Sequence, residues 1–161
     1  GIKYREFEVQ QEAQREQFLR KLAQRGSDIV IAVGFAQAPA LQKVASEFPN
    51  TKFSIIDMVV DLPNVQSVVF KEQEGSFLVG ALAAMKSETG KVGFVGGMDI
   101  PLIRRFACGY VPGVKHINPG ATVFQKMTGT TPAAWNDPAR GGELAKSMYD
   151  DGADIVYASS G

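Results

Sequence analysis

The sequence is poor in the residues that build covalent and metal-bound frameworks. Its 161 residues include one cysteine, Cys108, and one histidine, His116. A single cysteine excludes an internal disulfide and a zinc site made of several cysteines. No Ser-His-Asp set can be placed convincingly and no metal-ligand spacing occurs, so we expect no cofactor and no catalysis. Cys108 lies in an apolar helical stretch, where a buried structural thiol is expected.

An excess of one charge and long apolar runs are also missing. Seventeen basic residues balance seventeen acidic ones, which gives a formal net charge of zero at pH 7. A nucleic-acid partner would favour a clustered basic face, which nothing in this sequence suggests. Apolar runs such as Ile29 to Val33 are far too short to span a bilayer. With 45% hydrophobic residues, the chain has enough apolar side chains for a core.

What the sequence does contain is a regular alternation of apolar strands and amphipathic helices. Continuous apolar strands are typical of parallel sheets covered on both faces. The alternation predicts an α/β fold with parallel sheets and right-handed crossovers. Pro112 falls inside a predicted helix, which we expect to be shortened or kinked there. The predicted strands cover residues 28–33, 52–57, 65–70, 92–95, 122–127 and 154–158, and the helices 4–25, 39–48, 72–86, 101–116 and 138–151.

A seven-residue segment occurs twice. Gly26 to Ala32 recurs as Gly152 to Ala158 with five of seven positions identical, and each copy follows an amphipathic helix. Chance is one interpretation, because helix–Gly–Asp–strand is a common junction in α/β proteins. The other interpretation is a pair of similar lobes, each built from the same helix–strand unit, and it fits the long spacing better.

The candidate binding residues follow the strands. In open parallel sheets, ligands bind beyond the carboxyl ends of the strands. Carboxylates, aromatic rings and backbone amides at these ends suit a polar, ring-containing ligand. Asp57 directly follows an apolar strand, where it is either a ligand-binding carboxylate or a turn cap. Trp135 is either a stacking platform or packing. Asn136 or Asp137 is predicted to cap the last helix. The run 93–97 matches neither common nucleotide-binding loop.

Several motifs run through most of the chain: VVDLPNV at 59–65, FKEQEGSFL at 70–78, GKVGFVGGMDIP at 90–101 and WNDP at 135–138. They resemble the basic membrane protein family of ABC-importer substrate-binding lipoproteins, which includes purine nucleoside receptors. This resemblance implies a type I periplasmic-binding-protein fold, with two Rossmann-like lobes and parallel sheets, incomplete in this chain. The lobes are expected at residues 1–90 and 91–161.

The resemblance also implies a function and a set of site residues. The lobes would close on a ligand, for which purine nucleosides are the best-known class, and deliver it to ABC permease subunits. Asp57 would bind the ribose hydroxyls, Trp135 would stack on the base, and Phe35 would line the cleft. The Ser160–Gly161 backbone would also line the cleft, and Arg104 would reach into it. The full protein is expected to be periplasmic or on the cell surface, held by a lipid anchor absent from this chain.

Two further expectations concern the ends of the chain and the alternatives. A full family member would begin with an additional strand and continue past Gly161, so the sequence is expected to be a fragment whose exposed sheet edges favour self-association. The effector-binding core of a transcription regulator shares the two-lobed fold. A regulator should carry a helix-turn-helix before that core, whereas residues 1–25 predict one helix. A small doubly wound enzyme would need a catalytic cluster that is missing.

Overall fold

The computed structural model describes residues 1–160 and divides the chain into two compact units, residues 1–70 and residues 71 onward. Each unit has its own parallel sheet. None of the helices in the described residues is long and apolar enough to cross a membrane. The elements are α1 (Gln14–Gln24), β1 (Ile29–Val33), α2 (Ala38–Glu47), β2 (Lys52–Ile56), β3 (Val65–Val68), α3 (Glu72–Lys86), β4 (Lys91–Met98), α4 (Pro101–Ile117), β5 (Thr122–Gly129), α5 (Pro138–Asp150) and β6 (Ile155–Ser159).

The first unit is a three-stranded parallel sheet in the order β1-β2-β3. One face is buried by α1 and α2, whose apolar side chains pack with Val30 and Ala32 of β1. The other side chains of β1 are more than half exposed, from 51% at Ile29 to 68% at Val33. The expectation that this strand is covered on both faces was therefore wrong, because helices cover only one side of the strand in this unit.

The second unit is built around β4, in the strand order β5-β4-β6. Val92 and Phe94 pack with α3 and α4 on one face, and Val95 packs with α5 on the other. Six consecutive residues of β4 are buried, so the predicted parallel strand covered on both faces is confirmed here. Tyr110 of α4 is fully buried in the same cluster, and this burial raises the pKa of its hydroxyl to about 12.

α3 and α4 pack against each other through glycines. A β-carbon at Gly80 of α3 would overlap the backbone carbonyl of Tyr110 in α4. In the same way, β-carbons at Gly109 and Gly113 of α4 would overlap the backbone of α3. The two helices therefore approach to a distance that side chains at these positions would prevent, and their backbones are in direct contact.

α3 belongs to the second compact unit. The boundary between the compact units falls between residues 70 and 71, and the lobe boundary at residue 90 stays a prediction. Because α3 lies against α4 along several turns, its packing partner belongs to the second unit. The start of α3 is also tied to α4, since Arg105 Nε donates to Glu72 Oε2 at 2.9 Å.

Three local expectations change in the structure. The first helix begins at Gln14 rather than near residue 4, and the preceding segment packs back so that Phe7 stacks on Phe18 with ring centroids 4.9 Å apart. α4 continues through Pro112 to residue 117, so the proline does not end it. Cys108 is exposed rather than buried, because it shares the outer face of α4 with Pro112 at i, i+4 spacing.

The repeated segment forms the same junction in each unit. Gly26 and Gly152 both have a positive φ, of 70° and 97°, and each links a helix to an edge strand. The second copy carries an additional contact. Asp154 accepts hydrogen bonds from the Ser87 hydroxyl at 2.7 Å and from the two following backbone N–H groups at 2.6 and 3.0 Å. These bonds hold the pKa of its carboxyl below the ordinary value.

We predict that Gly80→Ala lowers the free energy of unfolding by about 3 kcal/mol, because the added methyl group forces α3 and α4 apart. Gly75→Ala on the same helix is the matched control, since its β-carbon would meet no atom within 4 Å. The control should be neutral or stabilising by about 0.5–1 kcal/mol, in line with helix propensity. Urea unfolding of both variants measures the difference, and equal stability would contradict the close contact.

Asp154 is expected to make stability depend on acid pH. Its folded-state pKa is lowered, so its contribution is present above the unfolded pKa, near 4, and is lost as pH falls through the folded value. Asp154→Asn should be less stable than the parent at pH 7 and should lose less stability on acidification. Urea midpoints measured from pH 7 to pH 2 check this. Parallel curves for the two proteins would show that Asp154 contributes nothing through its charge.

Candidate functional site

Phe35 and Asp57 lie at the same edge of the first sheet. β1 and β2 pair in parallel with Val33 opposite Ile56, so the residues that follow these two strands leave the sheet side by side. The Gly34 N–H donates to the Ile56 carbonyl at 3.2 Å, which closes this edge. Phe35 then begins a short 3-10 helix. The prediction that both residues follow the carboxyl ends of strands is confirmed, and the structure shows in addition that the two strands are adjacent.

Asp57 has a backbone conformation that ordinary residues avoid. Its φ is 71°, and it is the only residue other than glycine with a positive φ among residues 1–160. Its N–H donates to the Val68 carbonyl at 2.9 Å, so β3 holds the residue in this conformation. Left-handed backbone costs most L-residues about 1–2 kcal/mol, aspartate and asparagine adopt it more readily than the rest, and it persists where neighbouring structure imposes it, often at functional sites.

Trp135 lies beyond the carboxyl end of β4 in the second unit. It belongs to a 3-10 helix, Pro132–Asn136, and its ring lies directly over Gly97, where a β-carbon would come within 2.6 Å of ring atom Cζ3. Thr128 Oγ1 ties this segment to the sheet, since it lies 3.1 Å from the Ala134 carbonyl and 3.3 Å from that of Gly96. The ring is partly buried, so Trp135 packs against the sheet and also keeps some exposed surface.

Arg104 is held by the carboxylate of Asp99, which directly follows β4. Its Nε and Nη2 donate to the two Asp99 oxygens at 2.7 and 3.0 Å. This forked pair lowers the pKa of the Asp99 carboxyl and raises that of the guanidinium. The Arg104 side chain is 63% exposed and that of Asp99 30%. Because Asp99 follows β4 directly, Arg104 lies at the carboxyl edge of the sheet, in a cluster with a carboxylate.

The remaining predicted residues lie near the same edge or outside the described part. Ser160 directly follows β6, which pairs with β4 in parallel, while Gly161 lies outside the described residues. Asp137 caps α5, because its carboxylate accepts a bond from the Arg140 N–H at 2.9 Å. No group of three metal-ligating side chains occurs in the described residues.

The glycines of β4 serve packing. A β-carbon at Gly93 would overlap the sulfur of Met148. A β-carbon at Gly96 would overlap the sulfur of Met127. Large side chains from α5 and β5 therefore fill the space that these glycines leave. The run 93–97 lies wholly inside β4, which extends beyond the predicted strand at 92–95.

A family model covers the whole sequence. It is described as "ABC transporter substrate-binding protein PnrA-like" and matches residues 1–161. The chain belongs to this family, Bmp. The family consists of solute-binding proteins of ABC transporters rather than enzymes, and the resemblance drawn from the sequence motifs is confirmed.

Curated relatives of this Bmp chain are longer proteins. It is 36% identical over 138 residues to the CD4+ T-cell-stimulating antigen of Listeria monocytogenes, covering 83% of this chain and 37% of the relative. It is 35% identical over 139 residues to the ABC transporter nucleoside-binding protein BmpA of Lactococcus lactis, covering 86% and 38%. Basic membrane protein B of Borreliella burgdorferi is 34% identical over 148 residues, covering 89% and 42%. The Bmp chain thus spans less than half the length of these relatives.

Solved structures agree with the fold. A solute-binding protein of an ABC transporter system from Aeropyrum pernix K1 matches with a TM-score of 0.74 and 32% identity, covering 95% of this chain and 44% of that one. A second, from Conexibacter woesei, matches with a TM-score of 0.65 and 28% identity, covering 93% and 50%. A transcriptional activator from Bacillus halodurans has a TM-score of 0.72 at 23% identity, covering 93% and 50%, which shows a shared fold alone. The predicted α/β fold of the periplasmic-binding-protein type is confirmed.

The backbone at Asp57 makes a stability prediction. Asp57→Gly should be more stable than Asp57→Ala by about 1 kcal/mol, because glycine adopts a positive φ without steric cost. At Gln42, an exposed position within α2, the same pair should give the opposite order, with alanine favoured by about 0.5–1 kcal/mol. Urea unfolding of the four variants decides the matter. An alanine variant at least as stable as the glycine variant at position 57 would contradict the left-handed conformation.

Proposed function

We propose that this protein is the extracytoplasmic solute-binding component of an ABC importer, and that its ligand is a purine nucleoside or a related sugar-containing molecule. The observation that carries the proposal is the strained backbone of Asp57 beside Phe35, at the sheet edge where α/β proteins bind ligands. Residues with such a backbone cluster at ligand-binding sites, where the surrounding structure holds them in place. Membership in a family of substrate-binding proteins supports the same interpretation.

Each candidate residue has a proposed role that fits its chemistry. The Asp57 carboxylate accepts hydrogen bonds from the ribose hydroxyls, and Phe35 contributes an apolar wall. In the second unit, Trp135 stacks on the base, and the backbone at Ser160–Gly161 lines the site. Arg104 donates to polar groups of the ligand while Asp99 fixes the direction of its guanidinium. The cleft between lobes that would bring these residues to one ligand remains a prediction.

The ligand class and the partners rest on relatives. The Lactococcus lactis relative is named a nucleoside-binding protein, and we propose the same class of ligand here. ABC permease subunits are the proposed partners, because they receive the solute from proteins of this family. We further propose that the full protein works in the periplasm or on the cell surface, held to the membrane by a lipid anchor.

The proposal is tested by calorimetric titration of the protein with inosine, adenosine, guanosine and ribose. We expect saturable heats with at least one nucleoside and weaker binding of ribose, which lacks the base. Heats at the level of dilution for all nucleosides would refute the ligand class. Asp57→Gly is the most informative variant of the site, because it removes the carboxylate while glycine still adopts the same backbone conformation. It should lose nucleoside binding while remaining folded.

Trp135→Ala should weaken nucleoside binding by about 1–3 kcal/mol, the contribution of one base–aromatic stack. Since the ring also covers Gly97, Trp135→Phe serves as the control that keeps an aromatic surface. It should retain most of the affinity, and thermal melting of both variants separates binding from folding. A loss below about 0.3 kcal/mol for the alanine variant would remove Trp135 from the site.

A further inference from the structure

We propose that the chain forms a symmetric dimer in which β5 pairs with β5 of a second copy, antiparallel and centred on Gln125. β5 hydrogen-bonds to β4 on one side, and its other side is an edge of the sheet. It has eight residues, compared with five in β1 and β6 and four in β3, and is the longest edge strand among residues 1–160. Long unpaired edges are templates for pairing with another chain.

The backbone groups of β5 divide into two alternating sets. The Thr122 N–H donates to the Gly90 carbonyl of the neighbouring segment at 2.9 Å, so residue 122 faces β4. Along a parallel strand, residues that bond one neighbour alternate with residues whose N–H and C=O face the other side. Val123, Gln125 and Met127 therefore direct their backbone donors and acceptors to the open edge.

Only one register of self-pairing satisfies all these groups without a charge clash. With Gln125 at the two-fold axis, Val123 opposes Met127 of the second copy, and each outward residue exchanges both backbone bonds with its counterpart. On the opposite face, Phe124 opposes Lys126 of the second copy, so no like charges face each other there. A register centred on Lys126 places two ammonium groups opposite each other. A register centred on Phe124 leaves Met127 without a partner inside the strand.

The surroundings of β5 accommodate a second strand. A groove of about 490 Å³ lies between the outer face of α4 and this edge. Val111, Pro112, Gln125 and Met127 line it beside the strand, and Asp99 and Arg104 line it at the carboxyl edge of the sheet. The apolar part beside the strand offers space for Val123 and Met127 of the second copy. Lys126, the charged residue of the strand, is held on the other face by a 2.6 Å hydrogen bond to Ser147 of α5. Its charge therefore does not oppose pairing with another chain at this edge, as the charge of an edge lysine often does.

A competing edge in the first unit is less open. Next to β1, a cavity of about 390 Å³ is lined both by residues 31–33 and by residues 5–9. The N-terminal segment thus lies near this edge and restricts the approach of a second chain. β5 has no such neighbour among the residues that line its groove. The antiparallel dimer also places the two Trp135 clusters at opposite ends of the joined sheet, because each lies at the carboxyl end of its own strands.

Sedimentation velocity of the full chain over a micromolar concentration series tests the proposal. We expect a monomer–dimer equilibrium for the parent. Gln125→Lys places two like charges at the two-fold axis and should raise the dimer dissociation constant about tenfold or more. Gln125→Pro should act in the same way by removing the outward N–H, which makes no bond to β4. Gln66→Lys, the same change on the edge strand β3, should leave the equilibrium unchanged.

Cross-linking fixes the register. In a Cys108→Ser background, Gln125→Cys should form a disulfide-linked dimer on mild oxidation, because directly opposed bonded residues lie about 5.5 Å apart between α-carbons. Lys146→Cys, on the exposed surface of α5, should not. The proposal is overturned if the parent is monomeric throughout, if Gln125→Lys dimerises as the parent does, or if the cysteine at position 146 links as well as that at 125.

Discussion

The direct contact between the backbones of α3 and α4 organises the second unit. Because Gly80, Gly109 and Gly113 carry no side chains, the two helices lie close enough to act as one layer on β4. Their common layer buries Phe94 and Tyr110, whose rings lie 6.0 Å apart between centroids. It also brings α3 into the second unit. The place of α3 in the second unit therefore follows from the absence of side chains at these three glycines.

Much of this fold could be predicted from periodicity. The helix at 72–86 was predicted with its observed bounds, and each strand was predicted within a few residues, because apolar runs and glycine breaks are local signals. The packing of α3 against α4 could not be predicted in this way, because it depends on residues of α4 about thirty positions later. Phe7 shows the same limit. It lies within the predicted helix 4–25, whereas in the structure it packs from an irregular segment against Phe18.

The candidate site shows a similar division between local and distant signals. Asp57 and Phe35 follow apolar strands, so strand-end logic placed them at one edge of the first sheet. The left-handed backbone of Asp57 could not be foreseen, because it depends on the hydrogen bond from its N–H to Val68 on the next strand. Arg104 was predicted as a ligand contact, but its forked bond to Asp99 emerges only when the turn between β4 and α4 is formed. The ring of Trp135 packs against Gly97 and also keeps part of its surface exposed.

The bonds of Asp154 close a long loop within the second unit. They join β6 to the end of α3 across 67 positions of the chain, so this loop closes only after β6 exists. During synthesis from the amino terminus, α3 and α4 can meet early, since they are close in sequence. The acceptor for the turn after α3 instead lies 67 positions from Ser87 in the chain. This contact therefore closes a far longer loop than the contact between α3 and α4, and it costs more chain entropy.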